Sequence, residues 1–237
     1  MKESLIDQIK NITTSSGIYK FIDRNDEILY IGKAKNLRKR LISYTKTDKL
    51  SSRISRMTFL AERLEVTLTN SDLEAILLEH NLIKKHKPKF NILLKDDKRF
   101  SSIAIDKKHD FGRIFKHRNV AKAKDLYNFG PFASGYDSSR VIDILRKCFL
   151  LRNCSDAEFK RREKPCLEHQ IKKCSAPCVE YISKEDYQAS INKATDFLSG
   201  KTSEIQQDLA LKMQKYSEEQ KYEKAAVFRD QIKSLTS

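Results

Sequence analysis

Long apolar stretches are absent from this sequence of 237 residues. No run approaches the roughly 18 to 20 apolar residues that cross a bilayer as a helix, which argues against a membrane partner. The first residues, Met1-Lys2-Glu3-Ser4, also lack the apolar segment of a secretory signal peptide. We therefore expect a cytoplasmic protein.

Cysteines are few and odd in number, with five in the whole chain. Thiols stay reduced in the cytoplasm, so a disulfide framework is not expected there, and an odd count points the same way. Metal or cluster ligation is the more attractive use for them.

Acidic residues are in short supply, with 32 Asp and Glu against 47 Lys and Arg and a formal net charge of +15. Such a chain surrounds itself with a positive field that attracts polyanions, and nucleic acid is the leading partner. Charge alone leaves open a soluble protein that is merely basic. Hydrophobic residues make up 39% of the chain, which is enough for a folded core.

Helix breakers are scarce in the last third of the chain. After Pro177 there is no further proline and one glycine, Gly200, while Ala, Glu, Lys and Gln are frequent. We expect this part to be helical, with Gly200 separating one helix from a closing helical pair.

Strand patterns occur mainly near the start of the chain. Residues 17–22 and 27–31 flank the turn Asp23-Arg24-Asn25-Asp26 and predict a hairpin. Residues 64–68 predict a third strand. Between about 100 and 131 there are only short strand-like pieces.

Helix signals alternate with these strands. Residues 36–44 predict a helix capped by Asn36, and residues from about 71 to 86 predict another that ends before Pro88. A further helix is predicted over about 137–150. The mixture indicates an α+β fold.

Two tyrosines, Tyr19 and Tyr30, lie on the paired strands and can share one groove. Residues 33–56 then contain nine basic residues and one acidic residue, a composition suited to the phosphate backbone of nucleic acid. Taken alone, either feature is better explained as ordinary strand aromatics or a solvated basic face. Their combination favours a nucleic-acid site.

Glu79 lies among apolar residues at helical spacing. Ala75, Ile76, Leu82 and Ile83 surround it, so its carboxylate would point from a largely buried face. An unpaired charge there is costly, and a divalent cation or an arginine would offset the cost. A partly exposed or salt-bridged glutamate is the alternative.

These residues resemble the GIY-YIG nuclease domain of the UvrC family. The matching segments are Gly17-Ile18-Tyr19, Tyr30-Ile31-Gly32-Lys33-Ala34-Lys35-Asn36-Leu37, Arg40-Leu41, Glu74-Ala75-Ile76-Leu77-Leu78-Glu79, Lys87-Pro88-Lys89-Phe90-Asn91 and Leu94-Lys95-Asp96-Asp97-Lys98. The resemblance implies a three-stranded antiparallel sheet flanked by helices that hydrolyses one phosphodiester bond of DNA.

The resemblance also implies roles for site residues. Glu79 would be the single protein ligand of Mg2+ or Mn2+, and Arg40 would stabilise the charged transition state. Tyr19 or Tyr30 would orient or deprotonate the attacking water, with Lys33 near enough to lower a phenol pKa. Supporting roles fall to Tyr44 and Asn91.

The cysteine segment resembles the cysteine-rich region of the same family. Its candidate ligands are Cys154, Cys166, Cys174 and Cys178. Their spacing lacks the paired knuckles of a zinc ribbon, so zinc is possible but not favoured. The resemblance points to a four-iron four-sulfur cluster, with Cys148 as a spare packing residue. Scattered structural thiols are the alternative.

The end of the chain resembles the UVR motif, a helix pair that in the family docks on UvrB. Tyr222 and Phe228 would lie on the docking face, because a two-helix hairpin cannot bury this much apolar surface alone. Tyr222 departs from the phenylalanine usual in the family. The alternative is a face packed within the chain.

Three parts are therefore expected: a nuclease domain over 1–98, a linker domain with the cysteine site over 99–182, and a helical tail over 183–237. The implied function is the 3′-side incision of damaged double-stranded DNA in nucleotide excision repair, after recruitment by UvrB and indirectly by UvrA. The family's later 5′-incision domain is not seen here. A Cho-type stand-alone 3′ nuclease and a non-catalytic adaptor that binds DNA and UvrB are the alternatives.

Overall fold

A computed structural model describes residues 2–46, 50–91, 101–118, 124–132 and 134–236. The chain divides into two compact units, Met1–Lys95 and Asp96–Ser237. The expected boundary at residue 98, the Leu94–Lys98 segment and Lys49 lie outside the described residues. The three-part division stays a prediction, since residues 99–237 fall within one unit.

In its described residues, the first unit combines one sheet with four helices. Its elements are α1 Glu3–Lys10, β1 Gly17–Ile22, β2 Ile28–Ala34, α2 Leu37–Ile42, α3 Ser52–Leu60, β3 Arg63–Leu68 and α4 Asp72–His86. The predicted α+β class and three-stranded antiparallel sheet are confirmed. The sequence did not predict α1 and α3, although Ser51 caps α3 by accepting from the Ile54 N–H.

The sheet has the order β2-β1-β3, so β1 is the central strand. Side chains alternate between faces along a strand. One face buries Tyr19 and Phe21 with apolar residues of α1, α2 and α3. The other face buries Ile18 and Ile31 against α4. Each face therefore has its own apolar core.

Helix α4 begins and ends where its sequence signals predict. The Ser71 side chain accepts a hydrogen bond from the Glu74 N–H at 3.1 Å, which satisfies one of the amides that a helix start leaves unpaired. After His86 the backbone turns left-handed at Lys87, with φ of 47°, and Pro88 follows. These ends fix the position of Glu79 above β2.

In its described part, the second unit contains a second antiparallel sheet of order β5-β4-β6, six α-helices and a short 3-10 helix, Pro177–Val179. Its elements are β4 Ser101–Asp106, β5 Ile114–Arg118, β6 Leu126–Phe132, α5 Gly135–Phe149, α6 Asp156–Lys160, α7 Leu167–Gln170, α8 Lys184–Leu198, α9 Thr202–Glu218 and α10 Tyr222–Thr236. The strand-like pieces thus pair into a sheet, and Ser134 caps α5.

The last three helices follow the predicted pattern, with Gly200 at φ of 104° between α8 and a pair formed by α9 and α10. The pair is not isolated, because α10 also packs on α5. Leu235 is fully buried, and the Gln231 side chain donates to the Cys148 carbonyl at 2.6 Å. Among the described residues, none of the helices has both the length and the apolar content needed to span a bilayer.

Candidate nuclease and cysteine sites

Three tyrosines and one arginine meet on one face of the first sheet. The hydroxyls of Tyr19 and Tyr44 lie 2.7 Å apart, and their ring centroids are separated by 5.8 Å. The Tyr30 ring lies 6.2 Å from Tyr19 and 6.4 Å from Tyr44. Arg40 donates from Nε to the Tyr19 hydroxyl at 3.2 Å. The structure thus brings four predicted site residues together.

Strand register explains how Tyr19 fits. Tyr19 pairs with Gly32 across the β1–β2 ladder, so the two residues share one face. A Cβ atom at Gly32 would lie 2.4 Å from the Tyr19 hydroxyl oxygen, which no real Cβ tolerates. The absence of a side chain at Gly32 is therefore what gives the Tyr19 ring its place.

Arg40 is held in a fixed orientation by these aromatic neighbours. Its guanidinium carbon lies 5.1 Å from the centre of the Tyr44 ring, a cation–π contact that adds to the hydrogen bond with Tyr19. Burial lowers the pKa of Arg40, but Tyr19 and Tyr44 raise it by more than burial lowers it. The net pKa therefore lies above the ordinary value for arginine. Arg40 is therefore a permanent cation at the site.

The influence of Lys33 on a phenol pKa stays a prediction, and burial is the largest effect on the pKa of Tyr19 and Tyr44. Burial, together with the neighbouring phenols, raises the pKa of Tyr19 well above its ordinary value. Burial likewise raises the pKa of Tyr44. Lys33 pairs with Ile18 in the ladder, and alternation puts their side chains on the opposite face from Tyr19. Tyr19 and Tyr44 therefore stay protonated at neutral pH.

Glu79 is half-buried on α4. Its Oε1 accepts a hydrogen bond from the Lys33 N–H at 3.0 Å. Gly32, the residue before Lys33, abuts the Tyr19 ring. The carboxylate is thus joined to the tyrosine cluster through two successive residues of β2.

Asn91 acts on the backbone of β2. Its Oδ1 accepts from the Ile31 N–H at 2.9 Å, and its Nδ2 donates to the Ile31 carbonyl at 2.7 Å. This bidentate contact satisfies both polar groups of one residue on an edge strand. Asn91 therefore fixes the strand that carries Tyr30, which is a supporting role of a structural kind.

A basic cavity of about 840 Å³ opens beside the tyrosine cluster. Tyr30, Tyr44 and Arg40 line it, whereas Tyr19 is sealed beneath. The described lining has five basic side chains and no acidic one; the basic residues are Arg38, Lys39, Arg40, Lys46 and Arg53. The cavity has the charge that a phosphate backbone requires.

The second candidate site is the cysteine segment of the second unit. Cys154, Cys166 and Cys174 line one cavity of about 400 Å³. Cys178 is close enough to Cys154 and Cys166 for their charges to raise its pKa, after the larger effect of burial. The four predicted thiols therefore surround one region.

The candidate ligand Cys174 and the spare cysteine Cys148 are both buried, but their neighbours differ. Burial, and then Cys166 and the other two thiols, raise the pKa of Cys174 to about 11. Cys148 is fully buried in α5, with its pKa raised to about 12 by burial, and its sulfur lies 4.0 Å from the Gln231 carbonyl oxygen. His169 contacts the Cys174 carbonyl oxygen through Nδ1 at 3.0 Å, a packing role.

The α9–α10 pair presents an apolar groove of about 640 Å³. Tyr222 lies in its lining and is 65% exposed. Leu211, also in the lining, is 69% exposed. Phe228 is half-buried and stacks on Tyr216, with nearly parallel rings whose centroids lie 5.5 Å apart. This contact joins α9 to α10.

Three family models match successive parts of the chain. Residues 15–92 match the UvrC-like GIY-YIG domain, so the first unit is a GIY-YIG endonuclease domain. Residues 100–197 match the middle domain of the UvrC/Cho excinuclease, and residues 203–236 match the UvrB/UvrC motif. With these three segments in this order, the chain belongs to the UvrC family and corresponds to the amino-terminal portion of its members.

Curated relatives agree with these matches. The UvrABC system protein C of Paramagnetospirillum magneticum is 44% identical over 234 residues, which is 99% of this chain and 37% of that protein. The protein of the same name from Rickettsia bellii is 46% identical over 236 residues, or 100% of this chain and 36% of that protein. The chain thus spans little more than a third of the length of these relatives.

A solved structure also matches part of the chain. The N-terminal endonuclease domain of UvrC from Thermotoga maritima, bound to its catalytic magnesium, is 37% identical. The match covers 39% of this chain and 100% of that domain, with a TM-score of 0.37.

Two arginines that were not singled out as site residues lie at the two sites, Arg53 from the basic stretch 33–56 and Arg152. Arg53 lines the basic cavity and donates to the Phe90 carbonyl at 2.9 Å, next to Asn91. Arg152 is fully buried beside Cys154. Arginine is almost never fully buried unless it is paired, so the burial of Arg152 is not readable from sequence. The nearness of Arg152 to a candidate ligand is the one signal.

Proposed function

We propose that this chain makes the 3′-side incision in damaged double-stranded DNA during nucleotide excision repair, as the GIY-YIG nuclease part of an excinuclease. The carrying observation is the contact of Arg40 with Tyr19 and Tyr44 at the wall of a basic cavity. A fixed cation beside a phosphate-binding surface suits stabilisation of a phosphodiester transition state.

Glu79 would hold one divalent cation, Mg2+ or Mn2+. Its half-buried carboxylate is a hard oxygen ligand oriented by the Lys33 N–H. A site with a single carboxylate, completed by water and substrate phosphate, suits magnesium. The bound cation would supply positive charge to the leaving oxygen.

Tyr30 is the phenol that we assign to the attacking water. It is half-buried and lines the basic cavity, while Tyr19 is fully buried and engaged with Tyr44 and Arg40. Tyr19 and Tyr44 then orient Arg40, and Asn91 keeps the strand of Tyr30 in register. Lys33 contributes through its backbone N–H to Glu79.

Removal of the metal tests whether a divalent cation at Glu79 is needed for incision. With UvrA and UvrB present, a labelled lesion-containing duplex should be nicked in magnesium and left intact in excess EDTA, because one carboxylate alone cannot stabilise the leaving oxygen. Gel shifts in both conditions serve as the control for binding. Equal nicking with and without chelator, in protein shown to be metal-free, would contradict the metal role.

The cysteine region would hold a four-iron four-sulfur cluster. Four thiols around one region match its ligand number. Their spacing lacks the paired knuckles of a zinc ribbon, which makes zinc the less favoured occupant. Thiols with raised pKa values, such as Cys174, would release their protons when the cluster binds.

Iron analysis decides the nature of this cofactor. Chain purified without oxygen should be brown and carry about four irons, as four thiolate ligands imply. Cys178→Ser should lose most of the iron, while Cys148→Ala should keep it, since Cys148 is buried against α10. Colourless protein with one zinc per chain would overturn the cluster.

The groove on α9 and α10 would receive a helix pair of UvrB. It is apolar and exposed at Leu211 and Tyr222, whereas the opposite side of α10 is already buried at Leu235. An exposed aromatic side chain in a groove is typical of a binding hot spot. Tyr222 is accordingly the main contact, and Phe228 shapes the groove by stacking on Tyr216.

Tyr222→Ala should weaken binding to UvrB by about 2 kcal/mol, roughly thirty-fold in Kd, because the truncation removes an exposed anchor. Calorimetric titration of UvrB with this chain measures the Kd. Tyr136→Ala is the matched control, because this α5 tyrosine is 74% exposed and lies outside the groove. An unchanged Kd for Tyr222→Ala would place the docking surface elsewhere.

A further inference from the structure

Arg152 is the largest fully buried side chain among the described residues, and it lies two positions before Cys154. Its Nε donates to the Phe111 carbonyl, and its Nη2 donates to Asp156 at 2.7 Å. Its Nη1 donates to the Cys154 carbonyl at 3.0 Å and lies 4.0 Å from the Cys154 Sγ, within reach of a hydrogen bond to sulfur.

The surroundings of Arg152 hold it in one orientation. Its guanidinium carbon lies 4.6 Å from the centre of the Phe159 ring. Its backbone N–H donates to the Tyr187 hydroxyl at 3.0 Å, and that hydroxyl donates to the Gly112 carbonyl at 2.9 Å. A side chain fixed this firmly cannot move away when charge changes nearby.

A buried guanidinium is costly unless charges and acceptors surround it. Asp156 supplies one negative charge, but its side chain is 49% exposed, so water screens the pair. Arg146 offers a contrast, because this nearly buried arginine pairs with the carboxylates of Glu168 and Asp143. Arg152 differs in pointing one nitrogen at a sulfur.

We propose that Arg152 is a positioning residue for the cluster held by the cysteines, and that its hydrogen bond to the Cys154 sulfur raises the reduction potential of that cluster. The inference rests on the cluster of the proposed function. A cation and a hydrogen bond at a ligand sulfur both favour the state with one more electron. Because the same guanidinium nitrogen donates to the Cys154 carbonyl, it also fixes the position of this cysteine ligand.

The test uses the full chain purified without oxygen, with iron content, helical circular dichroism and midpoint potential measured by dithionite titration with mediator dyes. Arg152→Lys keeps the positive charge but removes the guanidinium nitrogen that contacts Cys154. The reduction potential should therefore fall to a more negative value, at unchanged helicity. Asp156→Asn, at a half-exposed position, should raise the potential, because the guanidinium loses its counter-charge.

Glu158→Gln is the matched control. Glu158 lines the cysteine cavity but pairs with Ser155, and glutamine preserves that capping box. A direct charge effect would shift the potential at least as much in Glu158→Gln as in Asp156→Asn, which would overturn the role of Arg152. A larger shift in Asp156→Asn supports it.

The remaining outcomes separate this inference from the cluster itself. If the wild-type chain holds no iron, both fail. If wild type and variants hold the same iron at one common potential, the cluster stands and the role of Arg152 is overturned. If Arg152→Lys does not fold, Asp156→Asn and its control decide. Retained helicity with lost iron in Arg152→Lys would support positioning.

Discussion

Glu79→Gln should lower the single-turnover rate of incision by about a thousand-fold or more, with little change in binding to DNA or UvrB. The amide keeps an oxygen that can accept a hydrogen bond from the Lys33 N–H, so the contact between β2 and α4 is preserved. What is lost is the negative charge that would hold the proposed divalent cation. Quench-flow measurement of nicking at saturating partner gives the rate.

Glu74→Gln is the matched control for this change. Glu74 lies on the same helix, is also half-buried, and accepts a backbone N–H, that of Asn70, at 2.8 Å. The chemical change is identical, yet the rate should stay close to that of the wild type. Near wild-type cutting by Glu79→Gln, or equal losses in both variants, would remove Glu79 from the metal site.

Arg40→Ala should lower the single-turnover rate by about a hundred- to a thousand-fold while changing DNA affinity only slightly. The affinity is shared among several cations of the cavity, whereas only Arg40 is fixed by both Tyr19 and Tyr44 among its basic described lining. Rates from quench flow and Kd values from fluorescence anisotropy separate the two effects.

Arg38→Ala provides the comparison for Arg40. Arg38 lines the same cavity, but its Nε donates to the Ile12 carbonyl at 2.6 Å and is not part of the tyrosine cluster. Its removal should weaken binding modestly and leave the rate at saturation unchanged. If Arg40→Ala lost rate and affinity in equal measure, Arg40 would be a binding residue rather than a catalytic one.

Local signals predicted the three strands and the helices α2 and α4 of the first unit, but not α1 and α3. Asn36 and Ser71 are capping residues whose side chains accept the expected backbone N–H groups, so α2 and α4 begin where the sequence indicates. The strand β2 continues to Ala34, beyond the predicted end at residue 31, because pairing with β1 extends it. Such extension depends on a partner strand and is not visible in one segment.

The site itself required non-local information. Tyr19 and Tyr44 are 25 residues apart, and their hydrogen bond depends on how α2 packs on β1. Lys33 pairs with Ile18 in the β1–β2 ladder, so its side chain lies on the other face of the sheet from Tyr19, and this placement follows from strand register rather than from the local sequence. The burial of Leu235 and Arg152 likewise follows from tertiary packing.

The position of the incision can be mapped on a lesion-containing duplex, with UvrA and UvrB present and each strand labelled at one end. Our account predicts a single magnesium-dependent nick on the damaged strand, to the 3′ side of the lesion, that disappears in Glu79→Gln. A nick to the 5′ side, or a 3′ nick of undiminished rate in Glu79→Gln, would contradict it.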